Sequence, residues 1–380
     1  MSDPDLDLAQ NLIIPPEFNN KRQRDDESVQ WNEKTQSLLK SFEGKQLSNS
    51  RSIASIAQLI GPEVWLEQET NDIAQRLLDS TEFSIELIRS ILEDYVKPIF
   101  LANPHPQVNL NTGRILPKLA GGSLASIDYY QEQNWKGQPG VANVVSWCIR
   151  HIPENGYEQV WHLLIPPLMI LIDDYQAAYK LRGALLALDL LENVPVTILK
   201  RTGISKLLLT ALSKAYTSLH DDLSPDLIRT ITPIILRLID KTTEPNSEQR
   251  FDQIFHILGD HIIGSVWVFS NQEKDTIEAS MEVLPSLIHN LGIGTVRYLK
   301  ALIPQCVHCI TLNENVPRTP ALEKASLKAL VALIQECEPR MDRWKDRKER
   351  EMRANGESWW LKYSPHYPKL ARVFLMMNTH

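Results

Sequence analysis

Apolar residues recur at three- and four-residue spacing along most of this chain, which is the period of an amphipathic helix. Ile53, Ile56 and Ile60 follow this spacing, and the same period resumes at residue 141 and continues, with loops, to about residue 353. The run GSVWVF at 264–269 contains strand-type residues, but it is isolated and a fully buried helical segment explains it equally well. The pattern therefore predicts an all-α fold.

The segment Leu163 to Pro195 has the most informative pattern. Two apolar runs are separated by a short polar step, which is typical of two antiparallel helices joined by a tight turn. The first run ends in Asp173 and Asp174, whose carboxylates can accept backbone N–H groups where the next helix starts, near Gln176. Within this hairpin we expect the two aspartates to bond Lys180 or Arg182.

Parts of this hairpin recur along the chain. PPLMILID at 166–173 and PIILRLID at 233–240 both place a proline seven residues before an aspartate. LPSLIHNLG at 284–292 and LIPQCVHCITL at 302–312 repeat the proline and the apolar residues without the aspartate. Because a single hairpin cannot bury its own apolar face, neighbours must stack. We predict an α-solenoid of degenerate HEAT-like helical hairpins.

Composition divides the chain into five predicted segments. Polar residues 1–30 are predicted to be a flexible leader, because they carry too little apolar area to offset the entropy of ordering. Residues 31–101 are predicted to be N-terminal helical repeats, and 102–140 an extended Pro/Gly-rich insertion with a short helix at 124–130. Residues 141–338 are predicted to be the HEAT-like repeat array, and 339–380 a charged helix followed by an aromatic C-terminal segment.

Bulk composition narrows the function classes. The 380 residues carry a net charge of −7, which argues against a nucleic-acid-binding body. Four cysteines form no disulfide framework and favour a reducing compartment. The N-terminus lacks the layout of a signal peptide, and the longest apolar run, 163–172, is too short to span a membrane. We expect the protein in the cytoplasm and the nucleus, without a membrane segment.

Few residues suggest chemistry. Asp173 and Asp174 could form an acid/base pair, but no histidine or nucleophile accompanies them in the sequence, which favours helix capping. An alternative places enzyme chemistry in the insertion, near His105, Tyr129 and Tyr130. No nucleophile elbow and no phosphate-binding glycine loop occurs in the sequence. We therefore predict no catalytic residue, no cofactor and no small-molecule substrate.

Cys306 and Cys309 resemble half of a zinc site. A tetrahedral zinc site needs four ligands, and Cys337 alone does not supply the missing pair. At helical spacing Cys306 and Cys309 lie on one face together with apolar neighbours. Buried structural cysteines are the favoured interpretation, so no metal residue is predicted.

The C-terminal segment combines charge and aromatic residues. RMDRWKDRKEREMR at 340–353 is typical of a solvated helix with alternating charges, although it could also contact nucleic acid or an acidic partner. Trp359 and Trp360 are adjacent and cannot both face the core of one helix, and Tyr363 follows them. Aromatic anchors of this type occur at interface hot spots. Partner contact by these three residues and docking back onto the last repeat both remain open.

At residues 163–195 the chain resembles the family of the Tel-two-interacting protein two (Tti-two), the small HEAT-repeat subunit of the Triple-T (TTT) complex. The residues that carry the resemblance are Pro166, Asp173, Asp174, Tyr175, Lys180, Arg182 and Gly183. The paired aspartates, followed by Lys180 and Gly183, distinguish this pattern from HEAT units in general. The repeats after residue 200 carry no motif specific to the family.

The resemblance implies a non-enzymatic co-chaperone scaffold. Family members work with two larger α-solenoid subunits, Tti-one and Tel-two, and with the ninety-kilodalton heat-shock chaperone. Together they mature and stabilise phosphatidylinositol-kinase-related kinases, which include the TOR kinase and the DNA-damage kinases, with links to telomere maintenance. The alternative is another HEAT-repeat protein-binding scaffold, such as a transport adaptor or a phosphatase scaffold.

Overall fold

A computed structural model describes residues 11–117 (except 22, 46, 48, 82 and 103), 133–311 and 319–354. For residues 20, 311 and 339–354 it describes the backbone only. These residues form helices and connecting loops, with one isolated antiparallel bridge between Val108 and Ile115 as the only β-type pairing described. The predicted all-α fold is confirmed. None of the described helices is long and apolar enough to cross a membrane.

The chain divides into two compact units, Met1–Ala215 with Arg237–Thr242, and Tyr216–Leu236 with Thr243–His380. The helices described in the first unit are α1 (Asp26–Lys40), α2 (Ser50–Ala57), α3 (Gln68–Asp79), α4 (Ile85–Ile91), α5 (Lys97–Leu101), α6 (Val141–His151), α7 (Tyr157–Ile172), α8 (Ala177–Asn193), α9 (Val196–Thr202) and α10 (Ile204–Lys214). Helix α11 (Ser224–Thr242) contributes residues to both units.

Helix α7 lies at the centre of the first unit. Residues on every side of it are buried, and it packs against α5, α6, α8, α10 and the π-helical turn Leu92–Val96. A helix that is apolar all round is stable only when other elements cover it completely. This burial also offsets the two missing backbone donors of Pro166 and Pro167, which lie inside the helix.

The other proline-containing runs found in the sequence also form helices. Pro233 lies inside α11, Pro285 inside α14 (Lys274–Leu291) and Pro304 inside α15 (Leu299–Thr311). The proline of each of the four similar runs therefore lies inside a helix.

The predicted flexible leader is wrong for the part of residues 11–30 that the structure describes. Phe18 is fully buried, with its ring 5.7 Å from each of the rings of Trp31 and Trp65. Helix α1 already begins at Asp26, with Asp25 and Ser28 forming a reciprocal capping box. The composition of the segment is polar, but Phe18 packs against Trp65, which lies in the loop before α3. Residues 1–10 lie outside the described part.

The prediction that residues 102–140 form an extended insertion is also wrong for the two described parts of this segment, 104–117 and 133–140. After residue 104 the chain folds back tightly, since the N–H of Leu116 donates to the carbonyl of Gln107. The indole of Trp161 on α7 donates to the carbonyl of Gly113 at 3.0 Å. At the other end, the 3-10 turn Asn134–Gly137 buries Trp135. The Trp161 bond and the bond from the N–H of Ile115 to the carbonyl of Thr202 attach the segment to α7 and α9. The predicted helix at 124–130 lies outside the described residues.

The second unit contains α12 (Glu248–His256), a ten-residue π-helix (Ile257–Val266), α13 (Trp267–Phe269), α14, a 3-10 turn (Gly292–Tyr298), α15 and α16 (Pro320–Ala354). The hydroxyl of Tyr298 donates to the carbonyl of Phe255, and it occupies the space that a side chain on Gly259 would need. The run 264–269 is helical, but Val268 and Phe269 are 56% and 64% exposed, so the expected full burial is wrong. Helix α16 continues without a break across the predicted boundary after residue 338.

Helices α7 and α8 approach each other most closely at Gly183. A Cβ atom at this position would lie 2.4 Å from the backbone nitrogen of Ile172 and 2.6 Å from its Cγ1. A backbone atom at the end of a packed helix cannot move aside cheaply. The absence of a side chain at residue 183 therefore sets the spacing of the hairpin.

We expect Gly183→Ala to lower the free energy of unfolding by about 1–3 kcal/mol, because overpacking outweighs the better helix propensity of alanine. Urea unfolding monitored by circular dichroism measures this change. Gly137→Ala is the control, since a Cβ there meets nothing within 4 Å. A stabilised Gly183→Ala protein would contradict the close approach.

Candidate functional site

The turn between α7 and α8 places both predicted aspartates. Asp173 follows the last residue of α7, and Asp174 is completely buried one position later. The Oδ1 atom of Asp174 accepts the backbone N–H of Gln176 at 2.9 Å, and Gln176 is the residue that precedes α8. The sequence predicts that an aspartate accepts N–H groups at the start of α8. Asp174 instead accepts the N–H of the residue before α8 and so stabilises the turn.

Asp173 bonds two residues that are distant in sequence. Its Oδ2 lies 3.1 Å from Nε2 of His105, and its Oδ1 accepts a hydrogen bond from Nζ of Lys214 at 3.3 Å. Burial by itself raises the pKa of Asp173, but the His105 hydrogen bond and the Lys214 charge outweigh it and hold that pKa below its usual value. Asp173 thus attaches the segment after residue 104 and the end of α10 to the end of α7.

Asp174 bonds a lysine that is surrounded by aromatic rings. Nζ of Lys136 lies 2.9 Å from Oδ2 of Asp174, and 4.4, 4.8 and 5.3 Å from the ring centroids of Tyr175, Tyr179 and Trp135. A cation over aromatic faces gains electrostatic attraction in addition to its ion pair. Asp174 and Lys136 therefore fix the 3-10 turn Asn134–Gly137 against the hairpin. We call His105, Lys136, Asp173, Asp174 and Lys214 the aspartate junction.

Lys180 and Arg182 are the partners that the sequence predicts for the two aspartates. Lys180 is buried, and this burial lowers its pKa, although Asp173 and Asp174 act in the opposite direction. Arg182 forms a very short ion pair with Glu63, which lies in the loop between α2 and α3. For Arg182 the predicted bond to the aspartates is wrong, because its partner is Glu63. Lys180 feels the charge of both aspartates, while residues more distant in the sequence form hydrogen bonds with the two carboxylates.

Glu63 and Arg182 form a second, partly buried ion pair on the same hairpin. Burial raises the pKa of Glu63, against the lowering effects of Arg182 and of a hydrogen bond with Asn143. Nδ2 of Asn143 also donates to the carbonyl of Gln58 at 2.8 Å. These bonds join the 58–63 loop to α6 and α8.

The remaining signature residues have structural positions. Pro166 is buried inside α7 and Gly183 forms the close contact with Ile172. Tyr175 is 62% exposed, and it is the member of the signature with the largest accessible surface. Trp359, Trp360 and Tyr363, predicted as partner contacts, lie outside the described residues.

His105 and Asp173 form the kind of pair that occurs in hydrolytic triads, and the statement that no histidine accompanies the aspartates is therefore wrong. In a triad, the second ring nitrogen of the histidine faces a nucleophile. In this chain, Nδ1 of His105 accepts the backbone N–H of Gln107 at 3.2 Å, so Nε2 carries the proton that points to Asp173. Both ring nitrogens are thus engaged in bonds that hold the segment in place.

The thiols of the second unit are buried. Burial raises the pKa of Cys306 to about 12, and it also raises the pKa values of Cys309 and Cys337. A thiol with a raised pKa is a poor nucleophile and a poor metal ligand. Within the described residues, no group of three or more histidine, cysteine or acidic residues is placed to hold a metal ion.

Sequence reasoning named His105 for another role, missed Lys136 and Lys214, and connected none of the three to the aspartates. His105 is 68 residues from Asp173, Lys136 is 38 residues from Asp174, and Lys214 is 41 residues from Asp173. No local spacing connects such positions. The only available signal was indirect, since two adjacent carboxylates at the end of a buried apolar run require cationic partners from elsewhere.

Comparisons with known proteins show which family the chain is similar to. The model of the Tti2 family matches residues 52–314, which include the hairpin and the whole aspartate junction. The chain belongs to the Tti2 family.

Individual relatives are distant and longer. TELO2-interacting protein 2 of Homo sapiens is 25% identical over 228 residues, which cover 57% of this chain and 42% of the human protein. The protein of the same name from Mus musculus is 24% identical over 188 residues, which cover 46% of this chain and 34% of the mouse protein. The chain thus aligns with less than half the length of these relatives. No solved structure matches the chain.

We expect Arg182→Ala to lower the free energy of unfolding by about 1–3 kcal/mol, because it leaves the partly buried Glu63 carboxylate without its cation. The double variant Glu63→Gln with Arg182→Ala should recover part of this loss, since it removes the unpaired charge. Arg201→Ala is the control, because Arg201 and Glu158 pair on the surface with side chains 56% and 62% exposed. A double variant no more stable than Arg182→Ala would contradict the ion-pair explanation.

The Asp173 bonds predict a pH-dependent stability. The folded-state pKa of Asp173 lies below the unfolded value of about 3.9, so its bonds stabilise the fold above that pH. This contribution is lost as the pH falls through the folded-state pKa. In urea unfolding, the stability difference between wild type and Asp173→Asn should therefore be larger at pH 7 than at pH 3. The exposed Asp72→Asn variant is the control, and an equal difference at both pH values would rule out the effect.

Proposed function

We propose that this chain is a non-catalytic scaffold subunit of a TTT-type complex. The observation that carries the proposal is the family match over residues 52–314, together with a signature hairpin whose charged side chains bond residues of the same chain. A hairpin built in this way acts as a rigid support, and helical-repeat proteins use such supports to present extended binding surfaces.

The aspartate junction supports a structural role for the signature. Its carboxylates bond Lys136, Lys214, His105 and a backbone amide, so substrate chemistry at Asp173 or Asp174 would first have to break these bonds. Each broken bond would leave a buried charge or a buried polar group unsatisfied. This cost favours a scaffold role for the chain over an enzyme whose chemistry lies in residues 102–140.

The partners follow from the family. We infer that the chain binds two larger α-solenoid subunits, Tti-one and Tel-two, and the human relative carries a name that describes it as TELO2-interacting. With the ninety-kilodalton heat-shock chaperone, the assembly would stabilise phosphatidylinositol-kinase-related kinases, including the TOR and DNA-damage kinases. Links to telomere maintenance and a location in cytoplasm and nucleus belong to the same proposal.

Affinity purification of the tagged full chain from its native cell tests the proposal. We expect both larger solenoid subunits in the eluate, together with at least one kinase of the phosphatidylinositol-kinase-related class. Depletion of the chain should lower the steady-state amount of these kinases without lowering their messenger RNA. Recovery of neither solenoid subunit would rule the proposal out.

Two comparisons make the purification specific. Gly183→Ala should lower the recovery of the larger subunits, because it disturbs the α7–α8 hairpin, whereas Gly137→Ala should leave it unchanged. Recovery of a small GTPase would instead indicate a transport adaptor, and recovery of a phosphatase catalytic subunit would indicate a phosphatase scaffold.

A further inference from the structure

The charged residues of α9 and α10 are all positive. Residues 196–214 comprise both helices and the glycine between them, and they contain three lysines and one arginine but no aspartate or glutamate. Lys206, Thr210 and Lys214 are exposed and follow one another at intervals of four residues, so they form one stripe along α10. Lys200 is exposed in the last turn of α9. This surface is opposite in sign to the net charge of the whole chain, which is −7.

The segment after residue 104 brings a further cation to these helices. The N–H of Ile115 donates to the carbonyl of Thr202 at 3.1 Å, which places Arg114 beside the end of α9. A Cβ atom on Gly203 would lie 2.5 Å from Cγ2 of Ile115, so the segment lies directly on the turn between α9 and α10. Arg114 is exposed, and Ile115 is 36% exposed beside it. We call Arg114, Lys200, Arg201, Lys206 and Lys214 the basic face.

Only part of this positive charge is balanced by carboxylates of the same chain. Nη2 of Arg201 lies 2.7 Å from Oε1 of Glu158, and Nζ of Lys214 lies 3.3 Å from Oδ1 of Asp173. Within the described part of the chain, the other three cations of the basic face form no ion pair. Because these cations are exposed, pairing with an incoming carboxylate costs little desolvation. Three cations beside one exposed apolar side chain are therefore available to a partner.

We propose that the basic face binds an acidic segment of a partner protein. The carboxylates of this segment pair with Arg114, Lys200 and Lys206, and an apolar side chain between them covers Ile115. The guanidinium of Arg114 can hold a carboxylate through two parallel hydrogen bonds, which a lysine cannot do. The inference goes beyond the proposed function, because it names a surface and the chemistry of its partner, and neither depends on the TTT-type assembly.

The charges around the basic face favour a peptide over a nucleic acid. Nucleic-acid surfaces draw their affinity from many phosphate contacts, whereas three cations of this face are without a carboxylate. The carboxylates of Glu158 and Asp173 lie on the same face and would repel a continuous phosphate backbone. An acidic peptide can place neutral residues at these two positions. A positive surface on an otherwise negative chain also orients an acidic protein as it approaches.

Fluorescence anisotropy of the full chain tests the proposal, with a fluorescein-labelled peptide of Glu-Glu-Leu-Ser repeats as the probe. We expect Lys200→Glu combined with Lys206→Glu to weaken binding about tenfold, because repulsion replaces two exposed ion pairs. Lys34→Glu combined with Lys300→Glu makes the same change in net charge at exposed positions of α1 and α15. This control should leave the affinity unchanged at physiological salt, where charges are screened beyond about 8 Å.

Three results of the anisotropy measurement would overturn the proposal. They are no binding of the probe, an equal loss of affinity in the two double variants, and equal binding of a peptide in which glutamine replaces every glutamate. Circular dichroism of both double variants establishes that their helices remain folded.

Carbodiimide crosslinking locates the bound peptide, because the reagent joins a carboxylate directly to a lysine amine. After digestion and mass spectrometry, we expect the probe on Lys200 and Lys206 and not on Lys34 or Lys300. Equal crosslinking of all four lysines would contradict a defined binding surface. Fluorescein-labelled single-stranded DNA is the competing ligand. If the DNA binds more tightly than the peptide and loses affinity in the Lys200→Glu, Lys206→Glu variant, the surface recognises nucleic acid and the proposal is wrong.

Discussion

Two adjacent carboxylates buried at one helical turn determine how the first unit is assembled. A buried charge without a partner costs several kcal/mol, so Asp173 and Asp174 can exist at this place only if cations and N–H donors reach them. Those donors come from three separate segments, represented by His105, Lys136 and Lys214. The positions of the 104–117 segment, the 3-10 turn at 134–137 and the end of α10 therefore depend on this turn. The close contact at Gly183 keeps the two helices at the spacing that the turn requires.

The same arrangement explains why a signature with several charged residues can belong to a binding scaffold. Charged side chains in a cleft often indicate catalysis, because burial and neighbouring charges adjust their pKa values. Here the shifts arise from bonds that hold one segment against another. The Arg182–Glu63 ion pair attaches the 58–63 loop to α8. In the same way, the Asp174–Lys136 ion pair attaches the 3-10 turn Asn134–Gly137 to the α7–α8 hairpin. A helical-repeat protein needs such bonds, since each hairpin has to keep its neighbours in a fixed orientation to present a continuous surface.

The two units differ in how far the apolar faces of their described helices are covered. In the first unit, α7 is covered on all sides, and the segment after residue 104 also contributes to this cover through Gly113 and Trp161. In the second unit, an apolar groove remains between α14 and α16, and the aromatic residues Phe251, Phe255 and Tyr298 pack next to a ten-residue π-helix. Such π-helical insertions often occur at functional sites.

The sequence by itself determined the helical class, the α7–α8 hairpin and the family, because helical periodicity and a short signature are local properties of the chain. It also identified Asp173, Asp174 and Gly183 as unusual residues of that hairpin. Only the tertiary structure decided which residues bond the two aspartates, that Phe18 is buried in a segment of polar composition, and that Arg182 pairs with Glu63. These contacts join residues tens of positions apart. Their pairing follows from how helices pack and from the cost of leaving a buried charge unpaired, and neither is encoded in the spacing of neighbouring residues.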